Sequence, residues 1–174
     1  MKWKRPIGGR RYHFNPHRLA LLQVGVEEPG GYSRSRITLS LHRGNALARV
    51  RLLIADQNPA IRQTLADLVQ EHYDVVGTLA DGKSVLREVE STKPAIVLLG
   101  VSFEGTSGFE IARRLLQADW KPRIIFVSLH ESRDLVQAAL RIGASGFVFM
   151  SRLLDDLPVA VDAASQGKIF HPTM

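Results

Sequence analysis

The stretch AIVLLGVSFEG, residues 95–105, decides the fold of this 174-residue chain. Its apolar run, residues 96–99, is continuous, so it predicts a strand that is covered on both faces of a sheet. The run stops at Gly100, and a polar loop with Ser102 and Glu104 follows. In an α/β domain the carboxyl end of a central parallel strand faces the ligand crevice. A glycine at that point offers no side chain for chemistry.

The same type of apolar strand recurs along the chain, and an amphipathic helix pattern follows each one. The other strand patterns are RVRLLIA, YDVVGTLA, RIIFVSL and GFVFM. Five alternations of strand and helix predict right-handed crossovers and a doubly wound domain. We therefore predict an α/β fold with a five-stranded parallel sheet, a flavodoxin-like (βα)5 architecture. Its crevice is expected at the strand ends, namely Asp56 with Gln57, Gly100, Ser128 and Met150.

The helix patterns carry start signals and apolar faces. Predicted caps are Asn58 before Pro59, Asp81, and Ser107 with Glu110 at the spacing of a capping box. The positions predicted to face the core share a helical spacing. They are Ile61, Leu65 and Leu68; Val85, Leu86 and Val89; Leu135, Ala138, Ala139 and Ile142; and Leu154, Leu157, Val161 and Ala164.

The net charge of +6 is distributed unevenly along the chain. Residues 1–49 hold ten Lys and Arg against two Glu, whereas residues 50–174 hold 13 against 15 acids. This composition predicts a basic extension over 1–49, with one alternating strand pattern at 36–43, and a folded domain over 50–172. The extension has three open interpretations: a flexible segment, an arm that binds nucleic-acid phosphates, or a segment upstream of the true start.

Composition also limits the function classes. The chain has no cysteine, which excludes disulfides, thiolate metal sites and a cysteine nucleophile. No window reaches the roughly 20 apolar residues of a membrane span, and no signal-peptide pattern is present. We therefore expect a cytoplasmic protein without membrane contact.

Residues 50–172 resemble the receiver domain of bacterial response regulators, most closely the subfamily that precedes a helix-turn-helix output domain. The matching stretches follow one another in the family's order. They are LLIADQNPAIRQTL, VVGTLADGKSVL, IVLLGVSFEGTSGFEIARRL, RIIFVSLHES, AALRIGASGFVF and QGKIFHP.

The resemblance implies a specific set of site residues. In the family, an acceptor carboxylate takes a phosphoryl group from a phosphohistidine, two acids hold Mg²⁺, and a hydroxyl and a lysine bind phosphoryl oxygens. The corresponding positions here are Gly100 for the acceptor, Asp56 and Gln57 for the acids, Ser128 for the hydroxyl and Met150 for the lysine. Phe147 stands where the family carries a mobile switch aromatic, for which plain core packing is the alternative.

Three of these five pocket positions depart from the family pattern, so we expect an atypical receiver that lacks phosphorylation. No catalytic residue and no metal or other cofactor are expected, with Asp56 as the only surviving candidate ligand and Mg²⁺ binding lost or weak. Asp56 and Gln57 are expected to satisfy backbone donors, and Met150 to fill apolar space. The pocket is thus predicted to be rebuilt and neutral, and the protein not to be an enzyme.

Interaction with other proteins is the predicted mode of action. A histidine kinase or a DNA-binding regulator is the expected type of partner, and a homodimer through the outer helices is a further possibility by analogy. Arg133, Arg141, Asp155 and Asp156 are predicted to give the outer face mixed charge. Two alternatives stay open: a DNA-linked transcriptional regulator, with nucleic-acid contact only through residues 1–49, and a receiver whose crevice at Gly100 has space for a small ligand. We expect no output domain within the chain.

Other motif matches are judged to lack their structural context. GTLADGKS, residues 77–84, fits a phosphate-loop pattern, but its first glycine is predicted to lie within a strand. His13 and His17 have the spacing of a helical metal pair, which Pro16 opposes. A triad of Ser128, His130 and Asp56, and Glu104 as a substitute acceptor, are weak alternatives.

Overall fold

The computed structural model describes residues 49–172. The predictions for residues 1–48, including His13, His17 and the strand pattern at 36–43, lie outside the described residues. The strands are β1 (Arg51–Ala55), β2 (Asp74–Leu79), β3 (Ile96–Gly100), β4 (Ser102–Phe103), β5 (Thr106–Ser107), β6 (Arg123–Ser128) and β7 (Gly146–Phe149). The helices are α1 (Pro59–Val69), α2 (Gly82–Thr92), α3 (Gly108–Gln117), α4 (Arg133–Arg141) and α5 (Leu153–Ser165).

Five of the strands form one parallel sheet in the order β2-β1-β3-β6-β7. The central strand β3 is buried along its whole length, as expected for a strand covered on both faces. One core packs the sheet against α2, α3 and α4, and the other packs it against α1 and α5. The predicted doubly wound (βα)5 fold is confirmed.

The helix starts follow the predicted caps, with one difference. The Asn58 carboxamide accepts the Ala60 N–H, and the Asp81 carboxylate accepts the Ser84 N–H. At α3 only half of the predicted capping box forms. The Ser107 hydroxyl accepts the Glu110 N–H, but the Glu110 carboxylate accepts from Thr106 and Arg114 and does not return to the cap.

In three helices the buried apolar position differs by one residue from the predicted one. Leu154 is 75% exposed, and Leu153 takes the buried position at the start of α5. In α4 Val136 is buried whereas Leu135 is half-buried, and in α1 Leu68 is half-buried. In each case two adjacent apolar residues satisfy the same spacing, and only the direction from which the sheet approaches decides between them.

The hairpin of β4 and β5 follows β3 directly and turns the chain into α3. Its turn includes Gly105, whose φ of +72° favours glycine. The Gly108 N–H then donates to the Val101 carbonyl at 2.8 Å. A Cβ built on Gly108 would overlap the Gly100 carbonyl oxygen. Gly108 therefore allows α3 to begin in direct contact with the end of β3.

The two edges of the sheet differ. In β2 the pairing with β1 shifts between Leu52 and Leu53, which is a β-bulge. At the other edge, the segment after α5 returns beside β7, where Phe170 forms a parallel bridge with Gly146. The Phe170 N–H donates to the Ser145 carbonyl at 2.8 Å.

Candidate functional site

The predicted crevice lies where four adjacent strands, β1, β3, β6 and β7, end. Asp56 directly follows β1, Gly100 ends β3 and Ser128 ends β6. Met150 follows β7 and begins a single 3₁₀ turn, Met150–Arg152, so it lies just beyond the strand that was predicted to include it. The topology thus brings the predicted pocket residues to one edge of the sheet.

Asp56 and Gly100 are in direct contact at the centre of this edge. The Asp56 side chain reaches into the space in which any residue other than glycine would place its side chain at position 100. A Cβ built on Gly100 would overlap the nearer Asp56 carboxylate oxygen and lie 2.9 Å from the Asp56 Cγ. The prediction that Gly100 leaves space for a ligand is therefore wrong in this conformation, because the Asp56 carboxylate occupies that space.

Asp56 is held by local hydrogen bonds and is only 7% exposed. Its Oδ1 accepts the Asn58 N–H at 2.7 Å, as predicted for a carboxylate that satisfies a backbone donor. Burial raises the pKa of Asp56, and the Asn58 hydrogen bond and the positive charge of Arg62 oppose that increase. The site therefore favours the protonated carboxyl more than water does.

Arg62 is a site residue that the sequence analysis missed. Its guanidinium donates to the Asp56 carbonyl at 2.6 Å and to the Gln57 carbonyl at 3.0 Å. It thereby fixes the backbone of the loop between β1 and α1. Its position in the sequence could have indicated this role. Arg62 lies one helical turn after the Asn58 cap, and a long side chain at that position reaches back over the preceding loop.

The Gln57 side chain does not perform the predicted role. Gln57 is exposed, and within residues 49–172 its carboxamide has no hydrogen bond to a protein group. Its backbone carbonyl is the group that is bound, by Arg62. The prediction that Gln57 satisfies a backbone donor is wrong, because Gln57 is exposed beyond the buried end of β1 and its carboxamide binds no backbone group of residues 49–172.

The Ser128 hydroxyl is engaged within its own loop. It donates to the His130 carbonyl oxygen at 3.1 Å and accepts the His130 N–H at 3.0 Å. These bonds use the serine to shape the turn after β6. They also argue against the triad, because Ser128 binds the backbone of His130 and the His130 side chain is exposed.

Met150 packs as an apolar filler. It is half-buried against the core that α1 and α5 form with the sheet. The neighbouring Ser151 hydroxyl donates to the Glu131 carboxylate. This bond joins the loop after β6 to the 3₁₀ turn after β7, beside the crevice.

Phe147 is fully buried in a row of aromatic rings. Its ring centroid lies 6.1 Å from that of Phe126 and 5.4 Å from that of Phe149. Phe126 in turn stacks on Phe109 of α3 at 4.7 Å. The packing explains why an aromatic residue is favoured at position 147, and the switch role stays a prediction.

The predicted mixed-charge surface needs one correction. Arg133, Arg141 and Asp155 are exposed. Asp156 is only 7% exposed, and its Oδ2 lies 3.2 Å from the Arg152 Nε. Asp156 faces inward because it lies on the same side of α5 as the buried Ala160.

The structure also places the phosphate-loop match and Glu104. Gly77 lies within β2 and Asp81 caps α2, so residues 77–84 form no phosphate-binding loop. Glu104 is exposed in the turn of the hairpin, where it lines a groove of about 480 Å³ together with Lys83 and Arg114. Between residues 49 and 172 no group of three metal-ligating side chains comes together.

The strand order, the central crevice and the helix arrangement are those of a receiver fold. The isolated REC domain of RcsB from Salmonella enterica serovar Typhimurium superposes with a TM-score of 0.66 at 20% identity, covering 71% of this chain and 94% of that chain. A LuxR-family two-component response regulator from Aurantimonas sp. gives 0.66 at 28% identity, covering 70% and 88%.

A sequence model of the response regulator receiver domain matches residues 52–162. The chain therefore belongs to this family, and residues 52–162 are a receiver domain of the two-component type.

Curated relatives are transcriptional regulators. The positive alginate biosynthesis regulatory protein of Pseudomonas aeruginosa is 32% identical over 120 residues, which cover 67% of this chain and 48% of that protein. The DNA-binding transcriptional activator EvgA of Escherichia coli is 27% identical over 121 residues, which cover 69% and 59%. The chain spans 54% to 60% of the length of three further transcriptional regulatory proteins that it matches.

None of the helices between residues 49 and 172 combines the length and the apolar character that crossing a membrane requires.

Proposed function

We propose that this receiver domain does not accept a phosphoryl group and that it acts by binding another protein. One observation carries the proposal: the Asp56 carboxylate occupies the space that an acceptor side chain at position 100 would need. Glycine has no nucleophile, and the neighbouring acid has packed into the space that the missing side chain leaves.

The other pocket residues support the same conclusion. Ser128 uses its hydroxyl within its own turn. Met150 packs against the core and brings no positive charge to balance a phosphoryl group. A phosphorylated pocket needs a cation and free donors around the phosphoryl oxygens. The side chains at this edge are instead arranged for packing and loop geometry.

The residues also do not fit the Mg²⁺ ion that the family uses. Mg²⁺ requires octahedral oxygen ligands, commonly with one or two carboxylates. Asp56 is the single carboxylate at the pocket positions, one of its oxygens already accepts the Asn58 N–H, and its pKa is raised by burial. Gln57 offers only an exposed amide. We therefore derive no function through a metal ion.

Without phosphorylation, the domain would act through a conformational equilibrium that a partner shifts by binding one state more tightly. A histidine kinase or a DNA-binding regulator is the type of partner that a receiver fold suggests, and self-association through the outer helices is a second form of the same mode. The proposal predicts that partner binding is unaffected by phosphodonors.

Intact-mass spectrometry tests this proposal. The full chain is incubated with Mg²⁺ and a small phosphodonor, and we expect no added mass. The Gln57→Asp/Gly100→Asp/Met150→Lys variant is expected to gain one phosphoryl group, because it restores the acid pair, the acceptor and the cation together. An acid-stable, base-labile phosphoryl adduct on the unsubstituted chain would overturn the proposal.

A second candidate is a receiver that regulates transcription as part of a DNA-linked assembly. The names of the relatives favour it, since they are transcriptional regulators. Chromatin immunoprecipitation of the tagged chain tests it. Recovery at discrete promoters is expected under this candidate, and a uniform background signal contradicts it.

A further inference from the structure

A positively charged surface lies at the end of the sheet opposite the crevice. Its residues begin strands, lie in the loops that lead into them or follow α5, and all five cations are exposed. We call it the amino-edge patch. It consists of Arg51, Lys93, Lys121, Arg123 and Lys168, together with Trp120.

The strand order brings these cations to the same end of the sheet. The Ala95 N–H donates to the Arg51 carbonyl, and the Arg123 N–H donates to the Ala95 carbonyl, so Arg51 and Arg123 lie on either side of the start of β3. The Arg123 guanidinium lies 3.3 Å from a Cβ built on Gly167 and hence beside Lys168. Side chains alternate between the two faces of a sheet along each strand. Arg51 therefore lies on the face of Leu53 and Arg123 on the face of Ile125, so the cations lie on both faces at this end of the sheet.

Most of these cations have no acidic partner. Within residues 49–172, Lys93, Lys121, Arg123 and Lys168 form no ion pair, and Arg51 has only Asp74 at 3.8 Å. The exposed acids near these cations include Asp74, Asp119, Glu71 and Asp162, and the charge of Asp162 contributes to the raised pKa of Tyr73. Residues 49–172 together hold 14 Lys and Arg against 15 Asp and Glu. The positive charge of the patch is therefore a local feature and not a property of the whole domain.

The patch also presents an aromatic ring. Trp120 is 40% exposed between Asp119 and Lys121, and its indole N–H donates to the Pro94 carbonyl at 2.8 Å. This bond fixes the ring against the loop that carries Lys93. Fixed aromatic rings within a basic surface suit the bases and the phosphates of single-stranded nucleic acid.

A groove extends the patch toward β2. It has a volume of about 600 Å³. Arg49, Arg51, Gln70 and Tyr73 line it with donors for phosphate oxygens, and the Asp74 carboxylate and Val75 complete the lining. The chain enters β1 at this edge after residues 1–49, which hold ten Lys and Arg against two Glu.

We propose that the amino-edge patch binds single-stranded nucleic acid, with its cations on the phosphates and Trp120 stacked on a base. The inference goes beyond the proposed function, since it concerns the opposite end of the sheet and does not depend on phosphorylation.

Fluorescence anisotropy with the full chain and a labelled oligothymidylate of about 20 nucleotides tests the proposal. If four cations contact phosphates, raising the salt concentration from about 50 to about 200 mM weakens binding by about 50-fold. Lys121→Gln/Arg123→Gln is expected to weaken binding by about 10-fold or more. The matched control Lys83→Gln/Arg133→Gln removes two exposed cations from the opposite edge and should change affinity less than about threefold.

Trp120 provides a second and independent readout. Trp120→Leu should weaken binding about 10-fold, whereas Trp120→Phe, which keeps a ring, should stay within about threefold. Circular dichroism and melting temperature confirm that each variant is folded. The proposal would be overturned if the two charge variants lost affinity equally or if neither lost affinity. It would also be overturned if duplex DNA bound more tightly than the single strand, or if polyglutamate displaced the oligonucleotide as well as unlabelled oligothymidylate does. A failure to bind nucleic acid would not bear on the proposed lack of phosphorylation, which the phosphodonor experiment tests separately.

Discussion

Asp56 and Gly100 act as a pair, because the side chain of one fills the volume that the other lacks. The Asp56 carboxylate lies in that volume and accepts the Asn58 N–H. The packing of Asp56 therefore depends on the absence of a side chain at position 100. This dependence can be measured as a coupling free energy between substitutions at the two positions.

Gly100→Ala is expected to destabilise the protein by about 1–3 kcal/mol, the usual cost of overpacking. The added Cβ would overlap the Asp56 carboxylate and force that side chain to turn away. In an Asp56→Ala background the same substitution should cost less than about 1 kcal/mol, because the obstructing atoms are gone. Urea unfolding of the four proteins measures the coupling, and equal costs in both backgrounds would contradict the contact.

Asp56 also predicts a pH dependence. Its pKa is raised in the folded protein, chiefly by burial, so the folded state holds the proton more tightly than the unfolded chain does. The resulting stability is fully present below the ordinary pKa of aspartate and is lost as the pH rises through the raised pKa. Asp56→Asn carries no such proton. As the pH rises through this window, the free energy of unfolding of the unsubstituted protein should therefore fall relative to that of Asp56→Asn. Urea unfolding at several pH values measures this difference, and a difference that rises with pH would refute the prediction.

The identities of the site residues were predictable, but their contacts were not. The resemblance placed Gly100, Gln57 and Met150 at positions that normally carry charge, and the topology brings those positions to one edge. The sequence does not reveal that Asp56 turns toward Gly100 or that Ser128 turns into its own loop. Those directions depend on which neighbouring atoms leave space, and that is decided only by the packed sheet.

At the scale of elements, the junction between β3 and α3 is the tightest contact near the site. Gly108 begins the helix against the backbone of Gly100. A flexible side chain can move to relieve a close contact, but a carbonyl within a buried strand cannot do so without moving the strand. The position of α3 therefore depends on a residue without a side chain.

Gly108→Ala should destabilise the protein by about 3 kcal/mol, at the upper end of overpacking costs. Its control is Gly105→Ala in the adjacent turn, where a Cβ meets no atom within 4 Å but φ is +72°. That substitution should cost only the strain of a left-handed residue, about 1 kcal/mol. Thermal unfolding compares the two, and equal costs would show that the contact with β3 is unimportant.

Elements were predicted well where the pattern was unambiguous. The continuous apolar strands and the caps at Asn58 and Asp81 correspond to observed strands and helix starts. Leu154 was misplaced because Leu153 beside it fits the same helical spacing. The two-residue strands of the hairpin were not predicted, because they are too short to give a periodic pattern.

At the scale of the whole molecule, the domain has two chemically different ends. The crevice end has its single pocket carboxylate packed away. At the opposite end, Lys93, Lys121, Arg123 and Lys168 are exposed and form no ion pair within residues 49–172. The proposed lack of phosphorylation would leave partner binding as the input to which this domain responds.

Mg²⁺ should not stabilise the unsubstituted protein. A ligand that binds the folded state raises its stability in proportion to the logarithm of its concentration over its Kd. We expect no change in melting temperature with Mg²⁺ at millimolar concentration. Gln57→Asp/Gly100→Asp, which supplies two further carboxylates, should show a Mg²⁺-dependent increase. A Mg²⁺-dependent increase in the unsubstituted protein would contradict the assignment of Asp56 as a packed side chain.

The unlike edges of the sheet restrict how the domain can associate. An unprotected edge strand invites pairing with another chain, and proteins blunt such edges with bulges or by covering them. Here the bulge at β2 bends one edge, and the bridge between Phe170 and Gly146 covers part of the other. Neither edge is a regular template for strand addition. Partners are therefore expected to meet helices and loops, and the domain is protected against edge-to-edge aggregation.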